Sequence, residues 1–143
     1  MMKYLLGRGA QASVRDHDGR TALHLSTGAE SSKCIKQLCK QLTADAVNEV
    51  DNESMTAAHW AAYHDHYKHL ESLLEAGVSL ALRDREGKLP LHWTAANPTI
   101  KTAQRILGAA PGCINDTDNE GRTVAHLAVA ENNINLIHLL VPP

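Results

Sequence analysis

Thr56-Ala57-Ala58-His59 is a four-residue phrase with three counterparts in the chain: Thr21-Ala22-Leu23-His24, Leu89-Pro90-Leu91-His92 and Thr123-Val124-Ala125-His126. The histidines that close successive phrases lie 35, 33 and 34 residues apart. A phrase that returns at a period of about 33 or 34 residues is typical of helical repeat proteins, in which each unit packs mainly against its neighbours. The chain is therefore expected to fold as a row of similar units.

A polar turn precedes each phrase, and an apolar helical pattern follows it. The turns occupy residues 16–19, 51–54, 84–87 and 118–121, and each begins with Asp, which favours tight reversals. Thr opens three of the four phrases, where its hydroxyl can cap a helix, and Pro90 suits the first helical position of the remaining phrase. The apolar side chains expected to face the core from the second helices are Ile35, Leu38, Leu42, Leu70, Leu73, Leu74, Ile106, Leu107, Ile134, Ile137, Leu139 and Leu140.

The turns divide the chain into units. We expect complete units at 16–50, 51–83 and 84–117, a truncated unit at 118–143, and the end of a preceding unit at 1–15, where Tyr4-Leu5-Leu6 is followed by Gly9-Ala10. Second helices of about ten residues are too short to persist alone, so the units should stack into one continuous domain. The last helix is apolar without a polar cap, which indicates a longer parent protein.

Composition and charge argue against several classes of protein. The net charge of −2 comes from 14 basic and 16 acidic residues scattered along the chain, so no long-range positive field would attract nucleic acid. The sequence contains neither a long apolar run nor a start that resembles an export signal, so we expect no membrane insertion and a cytoplasmic setting. Cys34, Cys39 and Cys113 cannot all pair internally and are interpreted as reduced thiols.

The repeat phrase resembles the Thr-Pro-Leu-His-x-Ala phrase of ankyrin repeats over nearly the whole chain. Within that family the chain is similar to the inversins, ciliary scaffolds of the nephrocystin group, on segments 56–63, 86–93, 105–111 and 120–123. The resemblance implies an all-α ankyrin repeat solenoid whose helix-turn-helix units are joined by β-hairpin-like loops. It further implies a scaffold for ciliary complex assembly and signalling, located at the ciliary base, with nephrocystins, a NIMA-related kinase and dishevelled as partners. We expect this fragment to be a monomer and to need no cofactor.

A partner is expected on the hollow flank of the array, because first helices shorter than the second make stacked units curve. By the residue pattern of ankyrin binders, the candidates are His17, Asp18, Arg20, Asn52, Glu53, Met55, Tyr63, His64, Arg85, Glu86, Lys88, Asn97, Asn119, Glu120, Arg122 and Glu131. Tyr63, Met55, Arg85 and Arg122 are the strongest candidates, because aromatic, Met and Arg side chains are enriched at interfaces. We expect Arg85, Lys88 and Arg122 to meet acidic groups, although any one of these side chains could simply be a solvated turn residue.

The histidines allow two interpretations. His59, His64, His66 and His69 lie close in sequence and could offer imidazoles to zinc. The structural interpretation is favoured, since His64 and His66 are expected at the turn between helices and His69 on the second helix. The phrase histidines are expected to bond backbone groups at the helix start and the adjacent turn, because buried polar groups need partners; they are His24, His59, His92 and His126.

Trp60 and Trp93 follow phrase histidines and are expected to pack, with their ring edges partly exposed, rather than to act as binding anchors. Nothing in the sequence indicates catalysis. It has no Gly-x-Ser-x-Gly elbow, no Gly-rich phosphate loop and no His-Glu-x-x-His helix, and turn geometry explains its four recurrent carboxylates, Asp16, Asp51, Asp84 and Asp118. A protein-binding scaffold that is not an enzyme is therefore predicted. Two alternatives stay open: a passive structural spacer, and the cytosolic ankyrin arm of a channel or other signalling protein.

Overall fold

The computed structural model describes residues 14–141 of the 143-residue chain. Within that range all regular structure is helical and no strand is formed. The α-helices are α1 Ala22–Ser26, α2 Lys33–Gln41, α3 Ala44–Val47, α4 Ala57–Tyr63, α5 Tyr67–Glu75, α6 Lys101–Ala109, α7 Val124–Ala130 and α8 Ile134–Leu140, with 3₁₀ helices at Pro90–Ala96 and Pro111–Asn115. The end of a preceding unit predicted at 1–15 lies outside the described residues, except for Val14 and Arg15.

The helices pack as pairs in two layers. α1 packs on α2, α4 on α5, the 3₁₀ helix Pro90–Ala96 on α6, and α7 on α8. The first helices of neighbouring pairs contact one another, and so do α2, α5 and α6 of the second layer. This order of turn, helix and helix confirms the predicted all-α ankyrin repeat fold.

The core is built from alanines in the first helices and from leucines and isoleucines in the second helices. The alanines of α4 are fully buried, which lets the first helices approach closely, and leucines and isoleucines fill the space under the second helices. Ile134 departs from the predicted stripe, since it begins α8 and is 56% exposed. Leu136 and Leu140, one helical turn apart, are buried in its place.

The first helix of the third pair is a 3₁₀ helix. Pro90 occupies its first turn as predicted, but Leu89 replaces the capping Thr and offers no hydroxyl. The hydroxyl of Thr56 accepts a hydrogen bond from the backbone N–H three residues later at 3.4 Å, and Thr123 does the same. His92 N–H instead donates to Leu89 O at 3.0 Å, which is the tighter 3₁₀ spacing.

Candidate protein-interaction surface

Each phrase histidine forms a hydrogen bond with the backbone at the start of its own helix. Its Nδ1 accepts a hydrogen bond from the backbone N–H three residues earlier, at 3.0–3.1 Å in all four copies. Because Nδ1 accepts, the proton of the neutral ring lies on Nε2. That nitrogen then donates to a carbonyl of the next unit in two copies, His24 to Met55 O at 2.8 Å and His59 to Lys88 O at 2.9 Å. His92 donates to Asp116 O, at the end of its own unit, at 3.1 Å.

Burial keeps these rings neutral. It lowers the pKa of His24, His59 and His92, although the carbonyl acceptors of these rings act in the opposite direction. His126 is exposed, and its ring bonds Thr123 alone among the described residues. His24 and His59 therefore join successive units in their uncharged form, and His92 bonds the segment that leads into the last turn.

The turn aspartates organise the loops between units. Asp51 Oδ1 accepts hydrogen bonds from the N–H groups of Glu53 and Met55, each at 2.9 Å. The same pair of bonds recurs at Asp16, Asp84 and Asp118. The carboxylates that recur in the sequence are thus used to close turns.

The second oxygen of each turn aspartate has a donor that differs between units. Trp60 Nε1–H donates to Asp51 Oδ2 at 2.9 Å, and Trp93 makes the same bond to Asp84. The first and last units have leucine at the tryptophan position, and an arginine four residues after the aspartate donates instead, at 3.1 Å. Those arginines are Arg20 and Arg122.

Backbone hydrogen bonds stack the turns on one another. Asn52 N–H donates to Asp18 O at 3.0 Å, Arg85 N–H to Glu53 O at 3.1 Å and Asn119 N–H to Glu86 O at 3.0 Å. The side chains of Asn52 and Asn119 add a second bond to the preceding turn. Asparagine at these positions is therefore occupied in holding the array, even though it is exposed.

Two arginines that the sequence analysis did not single out also join units. Arg83 Nη1 donates to Gly87 O at 2.8 Å and to Thr117 O at 2.6 Å. Arg15 likewise donates to Gly19 O, at 2.7 Å, and to Val50 O in the next unit. The available signal was their shared place immediately before a turn aspartate.

Two predicted contact residues are not on the surface. Met55 is only 7% exposed, because its backbone N–H and C=O bond Asp51 and His24 and its apolar side chain turns into the core. Asn97 is 6% exposed, and its amide donates to Ala62 O at 2.8 Å. The expectation that these two residues line a docking face is therefore wrong.

The remaining candidates differ in their exposure and in whether they form ion pairs. Arg122 lies 3.1 Å from Asp118 and 3.4 Å from Glu120, and Lys88 lies 2.7 Å from Glu86. Arg20, Lys88 and Arg122 are half-buried. The exposed candidates are His17, Asp18, Asn52, Glu53, Tyr63, His64, Arg85, Glu86, Asn119, Glu120 and Glu131.

Tyr63 is the central exposed aromatic side chain. It is 53% exposed at the end of α4 and makes edge contacts with Trp60 and Trp93, with ring centroids 5.8 and 6.0 Å apart. His64 lies 5.2 Å from the same ring. We call these four residues the aromatic patch. Lys88 Nζ lies 4.9 Å above the Trp93 ring, so the edge of the patch carries a cation.

The remaining histidines lie where the sequence predicted, with His64 after α4, His66 before α5 and His69 on α5. Their rings stack at centroid distances of 5.7 Å for His64 and His66 and 4.6 Å for His66 and His69. Burial and the neighbouring His66 lower the pKa of both His64 and His69. Across residues 14–141 no three His, Cys, Asp or Glu side chains are placed to hold a metal ion.

Asp65 also connects two units through hydrogen bonds, and its role was not predicted from the sequence. Its carboxylate accepts hydrogen bonds from Thr99 Oγ1 at 2.8 Å and from Thr102 Oγ1 at 2.9 Å, both in the next unit. Its backbone is left-handed, with φ of 58°. A polar residue in a loop carries no sequence signal for such partners, because they lie more than thirty residues away.

A family model for ankyrin repeats, in three copies, matches residues 1–84. The chain is 38% identical to inversin of Canis lupus familiaris and of Homo sapiens over 97% of its length, but spans only 13% and 14% of those proteins. It is also 29% identical, over 99% of its length, to the human transient receptor potential cation channel subfamily A member 1, of which it spans 13%.

The relatives indicate a general role in protein binding. Ankyrin repeats generally mediate binding between proteins, and the similarity to inversin points to a non-catalytic interaction domain. No helix in the described part of the chain is long and apolar enough to cross a membrane. From the matched family model, the recurrent phrase and the stacked helix pairs, we conclude that the chain belongs to the ankyrin repeat family.

Proposed function

We propose that this chain is a protein-binding scaffold module that captures a partner on the aromatic patch. The observation that carries the proposal is the exposure of Tyr63 between two tryptophans. The indole N–H groups of Trp60 and Trp93 are bonded to buried turn aspartates, so the rings are held in place before a partner arrives. A rigid, exposed aromatic side chain loses little entropy on binding and is typical of interface anchors.

Two cations of the turn at 83–88 would meet an acidic group of the partner, although the turns as a whole carry more carboxylates than cations. Arg85 is exposed, and no carboxylate of the described residues pairs with its guanidinium. Lys88 belongs to the same turn, and its Nζ lies 2.7 Å from Glu86 Oε2 and 4.9 Å from the centre of the Trp93 ring. Arg122 is bonded within its own turn, so it contributes less to the proposed site than Arg85. A carboxylate of the partner close to Tyr63 would therefore meet Lys88, and we propose Arg85 of the same turn as a second cation for it.

The proposed contact spans several units. We propose the divisions 16–50, 51–83, 84–117 and 118–143, with 1–15 closing an earlier unit, and one domain that is continuous through them. Exposed side chains from the turns would form the polar rim of the interface; they are Asn52, Glu53, Glu86, Asn119 and Glu120, with His64 and Glu131 at the helix ends. Their contribution is shape and specificity more than affinity, because interface energy concentrates in a few contacts.

The similarity to inversin supports a finer proposal. As part of a longer inversin-like protein, the module would act in ciliary complex assembly and signalling at the ciliary base. Nephrocystins, a NIMA-related kinase and dishevelled are the proposed partners. The support is 38% identity over 97% of the chain.

Affinity capture with the purified chain tests this proposal. Each of the three partners is passed over immobilised wild-type chain, over Arg85→Ala and over Lys33→Ala, a control on the exposed side of α2. We expect at least one partner to be retained by wild type and Lys33→Ala and to be lost from Arg85→Ala. A passive spacer would retain none of them specifically.

A second function, the cytosolic arm of a channel, is favoured by the similarity to the human cation channel over 99% of this chain. A membrane-spanning segment in the full-length gene product is the observation that would separate the two proposals. Its presence would favour the channel arm, and its absence would favour the inversin-like scaffold.

A further inference from the structure

Charge is segregated between the two sides of the array. Helices α2, α5 and α6 of the second layer carry six cations and two carboxylates, whereas the turn segments 14–20, 49–55, 83–88 and 116–122 carry ten carboxylates and six cations. The small net charge of the whole chain therefore conceals a basic side. The cations of that side are Lys33, Lys36, Lys40, Lys68, Lys101 and Arg105.

A groove lies on this basic side between α2 and α5. Its volume is about 840 Å³, and Lys36, Lys40 and Lys68 line it. None of these three lysines forms an ion pair with a carboxylate in the described part of the chain. Of the two carboxylates in the groove, Glu71 faces Arg105 at 3.9 Å, which leaves Glu75 as the main opposing charge.

We propose that this groove binds an acidic peptide segment of a second partner protein, independently of the aromatic patch. The proposal goes beyond the function proposed above, since it adds a separate surface on the other layer of helices. Lysines on both walls are placed to meet carboxylates of a chain that runs along the groove. Tyr67 also lines the groove, and the centre of its ring lies 5.3 Å from Lys101 Nζ, which extends the cationic lining towards α6.

The surroundings of the groove favour a peptide over a membrane or a nucleic acid. The large exposed apolar side chains of the described residues lie elsewhere, so α2, α5 and α6 have nothing to insert into a bilayer. The site is also recessed, whereas a membrane surface is broad. Glu71 and Glu75 would repel a continuous phosphate backbone, but a peptide can place amide N–H groups beside them.

Fluorescence anisotropy tests the proposal with a fluorescein-labelled peptide of alternating Glu and Gly, and with a Gln-Gly peptide as the neutral control. The groove variant is Lys36→Gln/Lys40→Gln. The matched control is Lys33→Gln/Arg20→Gln, which removes the same charge outside both the groove and the aromatic patch. We expect about tenfold weaker binding of the acidic peptide by the groove variant, and a change of less than about twofold in the control.

Glu75→Gln tests the role of charge independently. Because it removes a carboxylate that would repel the acidic peptide, it should tighten binding several-fold. Circular dichroism melts verify that all variants remain folded. Equal weakening by both double variants, or equal binding of the neutral peptide, would overturn the proposal. Binding of phosphatidylserine vesicles or single-stranded DNA without binding of the acidic peptide would overturn it as well. Loss confined to a separate Arg85→Gln variant would place the acidic peptide on the aromatic patch and leave that proposed site standing.

Discussion

Trp60 Nε1–H donates a 2.9 Å hydrogen bond to Asp51 Oδ2, nine residues earlier, and so joins a partly exposed ring to a buried turn. The same bond joins Trp93 to Asp84. Both tryptophans flank Tyr63, so the residues that close the turns also fix the proposed binding surface.

The two kinds of donor to the turn aspartate should be interchangeable. Trp93→Leu removes the donor to Asp84 Oδ2 and should lower the free energy of unfolding by about 1–3 kcal/mol, because a buried acceptor loses its partner. Trp93→Leu/Lys88→Arg recreates the leucine and arginine of the last unit and should recover part of that loss. Urea unfolding measures both. A double variant no more stable than Trp93→Leu would show that the arginines do not replace the indole.

Ser54 occupies a position that suits glycine. Its φ of 62° is left-handed, and the corresponding residues of the other turns are Gly19, Gly87 and Gly121. Ser54→Gly should raise the free energy of unfolding by about 0.5–1 kcal/mol, as relief of backbone strain predicts. Thermal melts followed by circular dichroism check the change.

Gly87→Ala is the control for Ser54→Gly: it makes the reverse kind of change at the equivalent position of the next turn and should destabilise the protein. Its φ is 75°, and an added Cβ would collide with Asn119 Oδ1 of the stacked turn. A loss larger than the gain from Ser54→Gly is expected, since strain and collision add. If Ser54→Gly lowers the melting temperature, left-handed strain at Ser54 is refuted.

Acidification should weaken the array before its carboxylates titrate. Burial lowers the pKa of His24, His59 and His92, and burial with His66 lowers the pKa of His64 and His69. The unfolded chain therefore binds protons first, so stability present above about pH 6.5 is lost as pH falls below that value. Hydrogen bonds from Arg20 and Asp18 N–H hold the pKa of Asp16 below its usual range, so its contribution is lost only at lower pH.

Melting temperatures at pH 7.5, 6.5, 5.5 and 5.0 measure this effect. His138→Gln, at an exposed position, should keep the wild-type slope. A melting temperature that stays constant from pH 7.5 to 5.0 would show that the buried rings do not resist protonation.

The three cysteines should react with a thiol reagent in a definite order. Cys34 is exposed and should be labelled first. Burial and the nearby Glu75 raise the pKa of Cys39 to about 11, and burial raises the pKa of Cys113, so both form little thiolate near pH 8. Time-resolved labelling with mass spectrometry should find one fast site, and all three sites in urea. Fast native labelling of Cys39 or Cys113 would contradict the packing.

The repeat period, the polar turns and the apolar stripes were sufficient to predict the fold, because each is local and returns four times. Partners in the next unit were beyond the same reasoning. Asp65 and Arg83 look like ordinary loop residues until stacking brings Thr99 and Thr117 beside them. The burial of Met55 was also missed. The other turns have Arg20, Lys88 or Arg122 at this position, and these charged side chains stay half-buried, so the repeat pattern pointed to the surface.

The aromatic patch is tested most directly by the affinity of Tyr63→Ala for a partner retained by the wild-type chain. Isothermal titration calorimetry should give a Kd raised by at least about tenfold, while the melting temperature stays within about 2 °C, because Tyr63 is half-exposed and its loss leaves the core intact. An unchanged Kd with an intact fold would contradict the claim that partners bind there.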